Sequence, residues 1–186
     1  NKKKDYNIQQ VIGVGDIIDT YDNEELMNKE WDVAAEAITQ LDGKIPYILA
    51  AGNHDLNWRF NYVVPGRFPN YLTQSQVISR YGRIDAGEDT DEPSVANTAH
   101  AFSVGDKDYL VVTLEYAAHH TPGLMEWANG VVEAHPNHNV IINTHAYLAA
   151  DGSILDGTQG GSPSSYTGCE EHNDGDYFWD NLVKKH

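Results

Sequence analysis

The stretch "IPYILAAGNHD", residues 45–55, joins an apolar run to a polar cluster. Its first seven residues carry no charge, which is typical of a strand covered on both faces of a sheet. Gly52 ends the run, and Asn53, His54 and Asp55 follow at once. An amide, an imidazole and a carboxylate together at a strand end predict a site that needs polar groups.

An earlier segment ends in the same way. Residues 8–15, "IQQVIGVG", predict a short strand that stops at a glycine, and Asp16 follows it. Between the two strands, residues 22–43 have the pattern of a helix with an Asp22–Glu25 capping box and a Gly43 C-cap. Its apolar positions recur at helical spacing; they are Met27, Trp31, Ala34, Ile38 and Leu41.

A strand, a helix and a second strand in this order predict a parallel pair. In open α/β sheets, ligands bind at the carboxyl ends of the strands. Asp16 and the polar residues 53–55 are therefore expected at the same edge of one sheet.

The rest of the chain continues the α/β pattern. "AFSV" and "YLVVTLE", residues 101–104 and 109–115, predict a hairpin, and "HNVIINTH", residues 138–145, predicts a strand that ends at His145. Two further helices are expected, after Pro122 and over residues 176–186; their apolar positions are Leu124, Trp127, Ala128, Val131 and Val132, and Phe178, Trp179, Leu182 and Val183. Residues 151–176 are expected to form a long loop. We expect one α/β domain over residues 1–186.

The composition restricts the possible functions. A net charge of −16 argues against nucleic-acid binding, because such proteins need a cationic surface. No segment is long and apolar enough to span a membrane. Carboxylates suit divalent cations, although most of them are expected to be solvated surface groups. With Cys169 as its only cysteine, the chain has no intrachain disulfide.

Three predicted strand ends carry possible ligands, namely Asp16, the cluster of Asn53, His54 and Asp55, and His145. Each residue alone has an ordinary structural explanation, such as capping a turn or hydrogen bonding. Their coincidence favours a metal site, and a set of carboxylate, amide and imidazole suits Mn, Fe or Zn better than Ca.

These motifs resemble a known family. "GDIID" at 15–19, "GNHD" at 52–55 and "NTH" at 143–145, in this order, look like those of calcineurin-like metallophosphoesterases. "VVTLEY", "LMEWANGVV" and "NTHAYL" resemble bacterial, often secreted, members. The resemblance implies an αββα sandwich of two mixed β-sheets flanked by helices. It also implies a hydrolase of phosphomonoesters or phosphodiesters with a dinuclear metal centre.

The resemblance implies a role for each matching residue. Asp16 matches the carboxylate that bridges the two metals, while Asn53 and His145 match ligands of the second metal. His54 matches the histidine that is not a ligand and protonates the leaving oxygen. Asp19 matches the aspartate that orients this histidine in many members.

The chain departs from the family pattern at two motifs. The early Asp-x-His and the late Gly-His-x-His are absent, so the first metal would keep only Asp16. We therefore expect an internal fragment that holds at most one metal ion weakly, is inactive alone, and self-associates through exposed sheet edges. Asp55 is expected to be structural. His119–His120 and "CEEH", residues 169–172, are expected to be solvated or locally hydrogen-bonded.

Two alternatives from other functional classes stay open. One is a non-catalytic binding or structural module that retains the phosphoesterase fold. The other is a calcium-stabilised extracellular module, suggested by "GEDTDE" and "HNDGD", although neither has EF-hand spacing. The chain has no nucleophile-elbow, P-loop or dinucleotide-binding motif.

Overall fold

The structure, a computed structural model, describes residues 6–55, 57–82, 93–116, 121–167 and 174–186. These residues form a mixed α/β fold with two sheets, which agrees with the expected fold class at that level. The described strands are β1 (Val11–Gly13), β2 (Tyr47–Leu49), β3 (Val77–Arg80), β4 (Thr98–Val104), β5 (Lys107–Thr113) and β6 (Asn139–Asn143). The described α-helices are α1 (Glu24–Ile38), α2 (Asn57–Arg67), α3 (Tyr71–Gln74), α4 (Leu124–Glu133), α5 (Pro163–Thr167) and α6 (Gly175–Asn181). None of the described helices is long and apolar enough to cross a membrane.

The first sheet is the parallel pair of β1 and β2, joined by α1 as the sequence predicts. Val11 aligns with Tyr47 and Gly13 with Leu49, so the carboxyl ends of both strands lie at one edge. All of β2 is buried, in agreement with its uncharged sequence.

The predicted N-cap of α1 is wrong by one residue, and the predicted end of the helix lies beyond the observed one. Asn23, rather than Asp22, is the N-cap, and its side chain accepts the backbone N–H of Leu26 at 3.0 Å. Asn at this position satisfies one of the free N–H groups of the first turn. The α-helix ends at Ile38 and tightens into a 3₁₀ turn over Thr39–Leu41, well before Gly43.

The second sheet has the order β3-β4-β5-β6. The predicted hairpin is confirmed as β4 and β5, and α4 connects β5 to its parallel neighbour β6. The predicted face of α4 is confirmed at its three buried positions, Leu124, Ala128 and Val132. At the outer edge, Val140 and Ile141 of β6 are 38% and 37% exposed. Self-association through such edges stays a prediction.

Some helices were not predicted from the sequence. Residues 57–74 form α2 and α3 although Pro65 lies inside α2. The core packing of their large side chains outweighs their weak helical pattern. The buried residues in these two helices are Phe60, Val63, Val64 and Tyr71, and Phe68 between the helices is buried with them. The region expected to be a long loop contains α5, and α6 begins within its last residues. Of the apolar positions predicted here, Phe178 and Leu182 are buried, whereas Trp179 is 41% exposed.

The two sheets meet where β6 ends. The side-chain amide of Asn143 donates to the carbonyl of Gly13 in β1 at 3.2 Å and to Thr113 Oγ1 in β5 at 3.3 Å. One residue of the second sheet is thus fixed against the end of the first. The chain after β6 is thereby brought to the polar edge of β1 and β2.

Candidate functional site

Two glycines let the strand ends approach one another closely. A Cβ atom at Gly52 would lie 2.2 Å from Asp16 Oδ1 and 2.4 Å from the Asp16 backbone nitrogen. A Cβ atom at Gly15 would lie 2.7 Å from His145 Nδ1. Gly15 also has φ +97°, a conformation that favours glycine. The glycines that end both apolar runs therefore make room for the polar groups.

Asp16 lies at the centre of the contacts. Its Oδ1 accepts the backbone N–H of His54 at 3.1 Å, and its Oδ2 lies 3.3 Å from His145 Nε2. Its φ of 50° is left-handed, an unusual conformation that Asp tolerates better than most residues. Such conformations are often found at functional sites. The structure thus brings three strand ends together at one carboxylate.

His145 is held in one orientation. Its Nδ1 lies 2.8 Å from the carbonyl oxygen of Val14, which can only accept a hydrogen bond, so Nδ1 carries the proton. Nε2, which lies 3.3 Å from Asp16 Oδ2, therefore carries either a lone pair or a second proton. The buried ring of Tyr116 packs against the imidazole, with ring centroids 5.9 Å apart.

His54 is oriented mainly by the main chain. Its Nδ1 contacts the backbone carbonyl oxygen of Asp19, whereas the Asp19 carboxylate is 3.8 Å away and 98% exposed. The ring of Tyr21 also contacts His54, at 5.2 Å between centroids and nearly perpendicular. Asn53 is half-buried in the same turn, directly before His54.

Asp55 ties the two strand-end loops together. Its Oδ1 accepts the backbone N–H groups of Ile17 at 2.8 Å and Ile18 at 3.2 Å, and its Oδ2 accepts that of Gly52 at 2.8 Å. Burial raises the pKa of Asp55 and the nearby Asp16 carboxylate raises it further, whereas the three N–H groups oppose the shift. This geometry gives Asp55 the structural role expected of it.

The donor set can be compared with what a divalent cation requires. His145 Nε2 and Asp16 Oδ2 lie 3.3 Å apart, a separation that lets both atoms bind one divalent cation at about 2.0–2.2 Å each. A metal-binding histidine commonly donates its other N–H to a carbonyl or carboxylate, as His145 does to Val14. The two residues therefore fit as ligands of one cation.

Asp16 and His145 by themselves do not make a complete metal site. Among them, no group of three or more His, Cys, Asp and Glu side chains is placed to hold a metal ion. The amide oxygen of Asn53 is the remaining candidate donor in the turn after β2. The site thus fits a single cation with few protein ligands.

The sequence analysis did not assign the end of β5 to the candidate site, although Tyr116 contacts His145 there. Glu115 is buried directly after the apolar run, and its backbone N–H donates to Asn97 Oδ1 at 2.9 Å. Burial raises the pKa of Glu115. Glu115 and Tyr116 follow their strand as Asp16 and Asn53 follow theirs, so the rule that found the other strand ends could have found this one.

Several expectations concern residues outside the described ranges. "GEDTDE", His119–His120 and "CEEH" all lie there, as do the first two residues of "HNDGD". The structure leaves these expectations untested.

Comparisons with known proteins give little information about function. No family model matches the chain. The chain is similar to "Uncharacterized protein YvnB" of Bacillus subtilis (strain 168), with 25% identity over 156 residues. The match covers 82% of this chain and 11% of that protein, so the chain spans about a tenth of the length of this relative.

Proposed function

We propose that this chain carries part of the active site of a metal-dependent hydrolase of phosphomonoesters or phosphodiesters. The observation that carries the proposal is the approach of His145 Nε2 to Asp16 Oδ2, at 3.3 Å, with Nδ1 committed to a carbonyl. The proposal includes a calcineurin-like αββα sandwich, for which the two sheets and the parallel β1–α1–β2 unit are the support.

In this proposal, Asp16, His145 and Asn53 hold the cation. A bound divalent cation supplies Lewis acidity toward the phosphoryl oxygens. The main-chain contact at Val14 keeps the His145 ring in position, and the N–H of His54 keeps the Asp16 carboxylate in position. Both ligands are thus oriented before a cation arrives, which reduces the entropy lost on binding.

His54 is the proposed general acid. The Asp19 carbonyl accepts from its Nδ1, which leaves Nε2 to carry the proton that goes to the leaving oxygen. The exposed Asp19 carboxylate, 3.8 Å away, attracts the protonated ring through solvent. The proposed orienting role of Asp19 therefore belongs chiefly to its main chain.

A dinuclear centre needs more ligands than these residues offer. We propose that the described set holds at most one cation weakly and that the 186-residue chain alone has little or no activity. The complete centre would then require groups from outside the set described above.

A second candidate is a non-catalytic binding or structural module. The observation that favours it is the absence, among the described residues, of any three His, Cys, Asp and Glu side chains placed to hold a metal. In that function, Asp16 and a protonated His145 form an ion pair that joins the two sheets.

Metal binding separates the two candidates. Mn²⁺ should be titrated calorimetrically into the chain and into the full-length product of its gene, each as wild type, Asp16→Asn and His145→Ala. We expect both variants to weaken Mn²⁺ binding by more than about 10-fold. Substitution of a residue that only supports a metal ligand already lowers metal affinity by about 10-fold or more, and loss of a ligand itself should lower it further. His135→Ala is the matched control, because His135 Nδ1 also contacts a main-chain carbonyl, that of Val131 at 2.7 Å, and lies before β6 instead of after it.

Turnover tests the chemistry. With Mn²⁺, the full-length product should hydrolyse phenyl phosphate or bis-p-nitrophenyl phosphate, and His54→Ala should lower kcat by about 10²- to 10⁴-fold. The same variant should leave Mn²⁺ affinity nearly unchanged. If neither protein binds Mn²⁺, or if His145→Ala and His135→Ala behave alike, the ion-pair module is the better description.

A further inference from the structure

Tyr21 is an exposed aromatic residue on a firmly held loop. Its side chain is 58% exposed. The two residues before it are tied to α1 by Glu30, whose carboxylate accepts the backbone N–H groups of Asp19 at 3.0 Å and Thr20 at 2.8 Å, and the Thr20 hydroxyl at 2.8 Å. The backbone hydrogen bond from Thr20 is the largest contribution to a lowered Glu30 pKa. The loop is thereby anchored before any ligand arrives.

The Tyr21 ring lies beside the proposed general acid. Its centroid is 5.2 Å from that of His54, and the two ring planes meet at 81°. Because the rings are not stacked, at least one face of the tyrosine is not covered by the imidazole. A single exposed tyrosine is ordinary on a protein surface. Its contact with His54 and its anchored loop distinguish this one.

Among the described residues, the aromatic ring that contacts His145 is not exposed in this way. Tyr116 contacts His145, but its side chain is buried. A group bound near Asp16 and His145 therefore meets an open aromatic surface on the His54 side. In the proposed hydrolysis, that side receives the leaving group.

The charge around Tyr21 restricts what can bind there. Asp19 and Asp22 are exposed carboxylates within two residues of it. Carboxylates repel further phosphate groups on a leaving group, whereas an uncharged aromatic ring is accepted. Aromatic rings stack on tyrosine with useful affinity, including the bases of nucleotides.

From these observations we propose that Tyr21 binds an uncharged aromatic leaving group. The substrates are then phosphate monoesters of an aryl alcohol or of a nucleoside. This inference rests on the proposed hydrolase function. It assigns Tyr21 a role in specificity and none in the chemical step.

Steady-state kinetics with Mn²⁺ on the full-length product test the proposal. Phenyl phosphate, adenosine 5′-monophosphate and glycerol 1-phosphate should each be compared in wild type, Tyr21→Ala and Tyr21→Phe. We expect Tyr21→Ala to raise KM for aromatic esters by about 5- to 10-fold with kcat nearly unchanged, and Tyr21→Phe to keep the wild-type KM. Glycerol 1-phosphate should respond by less than about 2-fold, since it has no ring to stack. A KM effect confined to phenyl phosphate or to the nucleotide would identify which aromatic source the site accepts.

A control variant and a binding readout complete the test. Tyr62→Ala removes a tyrosine that is 75% exposed on α2, and it should leave all three KM values unchanged. Phenylphosphonate and methylphosphonate, which are not hydrolysed, should be titrated calorimetrically, and Tyr21→Ala should weaken only the first. Equal effects on aromatic and alkyl ligands, or none, would overturn the role of Tyr21 and leave the hydrolase intact. If no ester is turned over and no phosphonate binds, the proposed function fails and this inference fails with it.

Discussion

Asp55→Asn is the substitution that most directly tests how the strand ends are held together. The Asp55 carboxylate accepts three backbone N–H groups, two on the loop after β1 and one at Gly52 after β2. An Asn side chain has nearly the same size but offers one acceptor atom in place of two. Whichever way the amide is turned, an NH₂ group must face a backbone N–H.

The magnitude follows from these contacts. A hydrogen bond to a charged group contributes about 1.5–3 kcal/mol, and a buried N–H without an acceptor costs about 1–3 kcal/mol. Removing the buried charge returns part of its desolvation cost, because burial raises the pKa of Asp55. We therefore expect the free energy of unfolding to fall by about 2–3 kcal/mol, a large share of the total for a typical domain.

Asp42→Asn is a matched control. Asp42 also accepts three hydrogen bonds, but from the side chains of Tyr47, Asn70 and Gln74 and in a half-buried position. Urea denaturation at neutral pH should show a loss below about 1 kcal/mol for this variant, because water can replace the lost partners. Mn²⁺ titration should show weaker binding for Asp55→Asn and no change for Asp42→Asn, since only Asp55 joins the loops that carry Asp16 and Asn53.

Two results would refute this reasoning. If Asp55→Asn lies within about 0.5 kcal/mol of wild type, the three N–H contacts do not stabilise the fold as stated. If the variant loses stability but Mn²⁺ affinity is the same, the strand-end geometry is not maintained by Asp55.

Two further predictions concern close packing and pH. Gly52→Ala should destabilise the protein and weaken Mn²⁺ binding, because its Cβ would lie 2.2 Å from Asp16 Oδ1. Gly130→Ala, on α4 where a Cβ meets open space, should instead stabilise the protein by about 0.5–1 kcal/mol. Equal melting-temperature shifts for the two variants would contradict this prediction. Burial lowers the pKa of His100 from 6.5 to about 4, although its contact with the Ser75 carbonyl opposes this. Between these two pH values, the unfolded chain therefore binds a proton at His100 that the folded protein does not. The stability that this neutral histidine provides is full above pH 6.5 and is lost as the pH falls to about 4, roughly 3 kcal/mol in total. The difference in free energy of unfolding between pH 7 and pH 4.5, measured by denaturation, should be smaller in His100→Gln than in wild type. An unchanged difference would count against this prediction.

The elements that follow regular hydrophobic patterns were predictable from the sequence. The β1–α1–β2 unit, the hairpin of β4 and β5, and α4 have apolar runs or helical spacing that are clear in the sequence, and each is found in the structure. The exact start of α1 was not predictable, because Asp22 and Asn23 are both good N-caps and the choice depends on which residue the helix geometry brings to Leu26. The helices α2 and α3 were missed because burial of their aromatic residues, rather than their own pattern, makes them helical.

The candidate site shows the same division. The sequence by itself determined that Asp16 and Asn53 follow parallel strands and so share one edge of a sheet, because parallel strands point the same way. It named His145 as the end of a third strand, but only the tertiary structure decided that this histidine, 131 residues from Val14, reaches the same carboxylate. Likewise, only the packing of the chain placed Tyr21 on His54 and Tyr116 on His145. Periodicity along a chain records which face of each element is buried. Contacts between distant segments depend on how the sheets meet, and here the hydrogen bond from Asn143 to Gly13 is one contact between them.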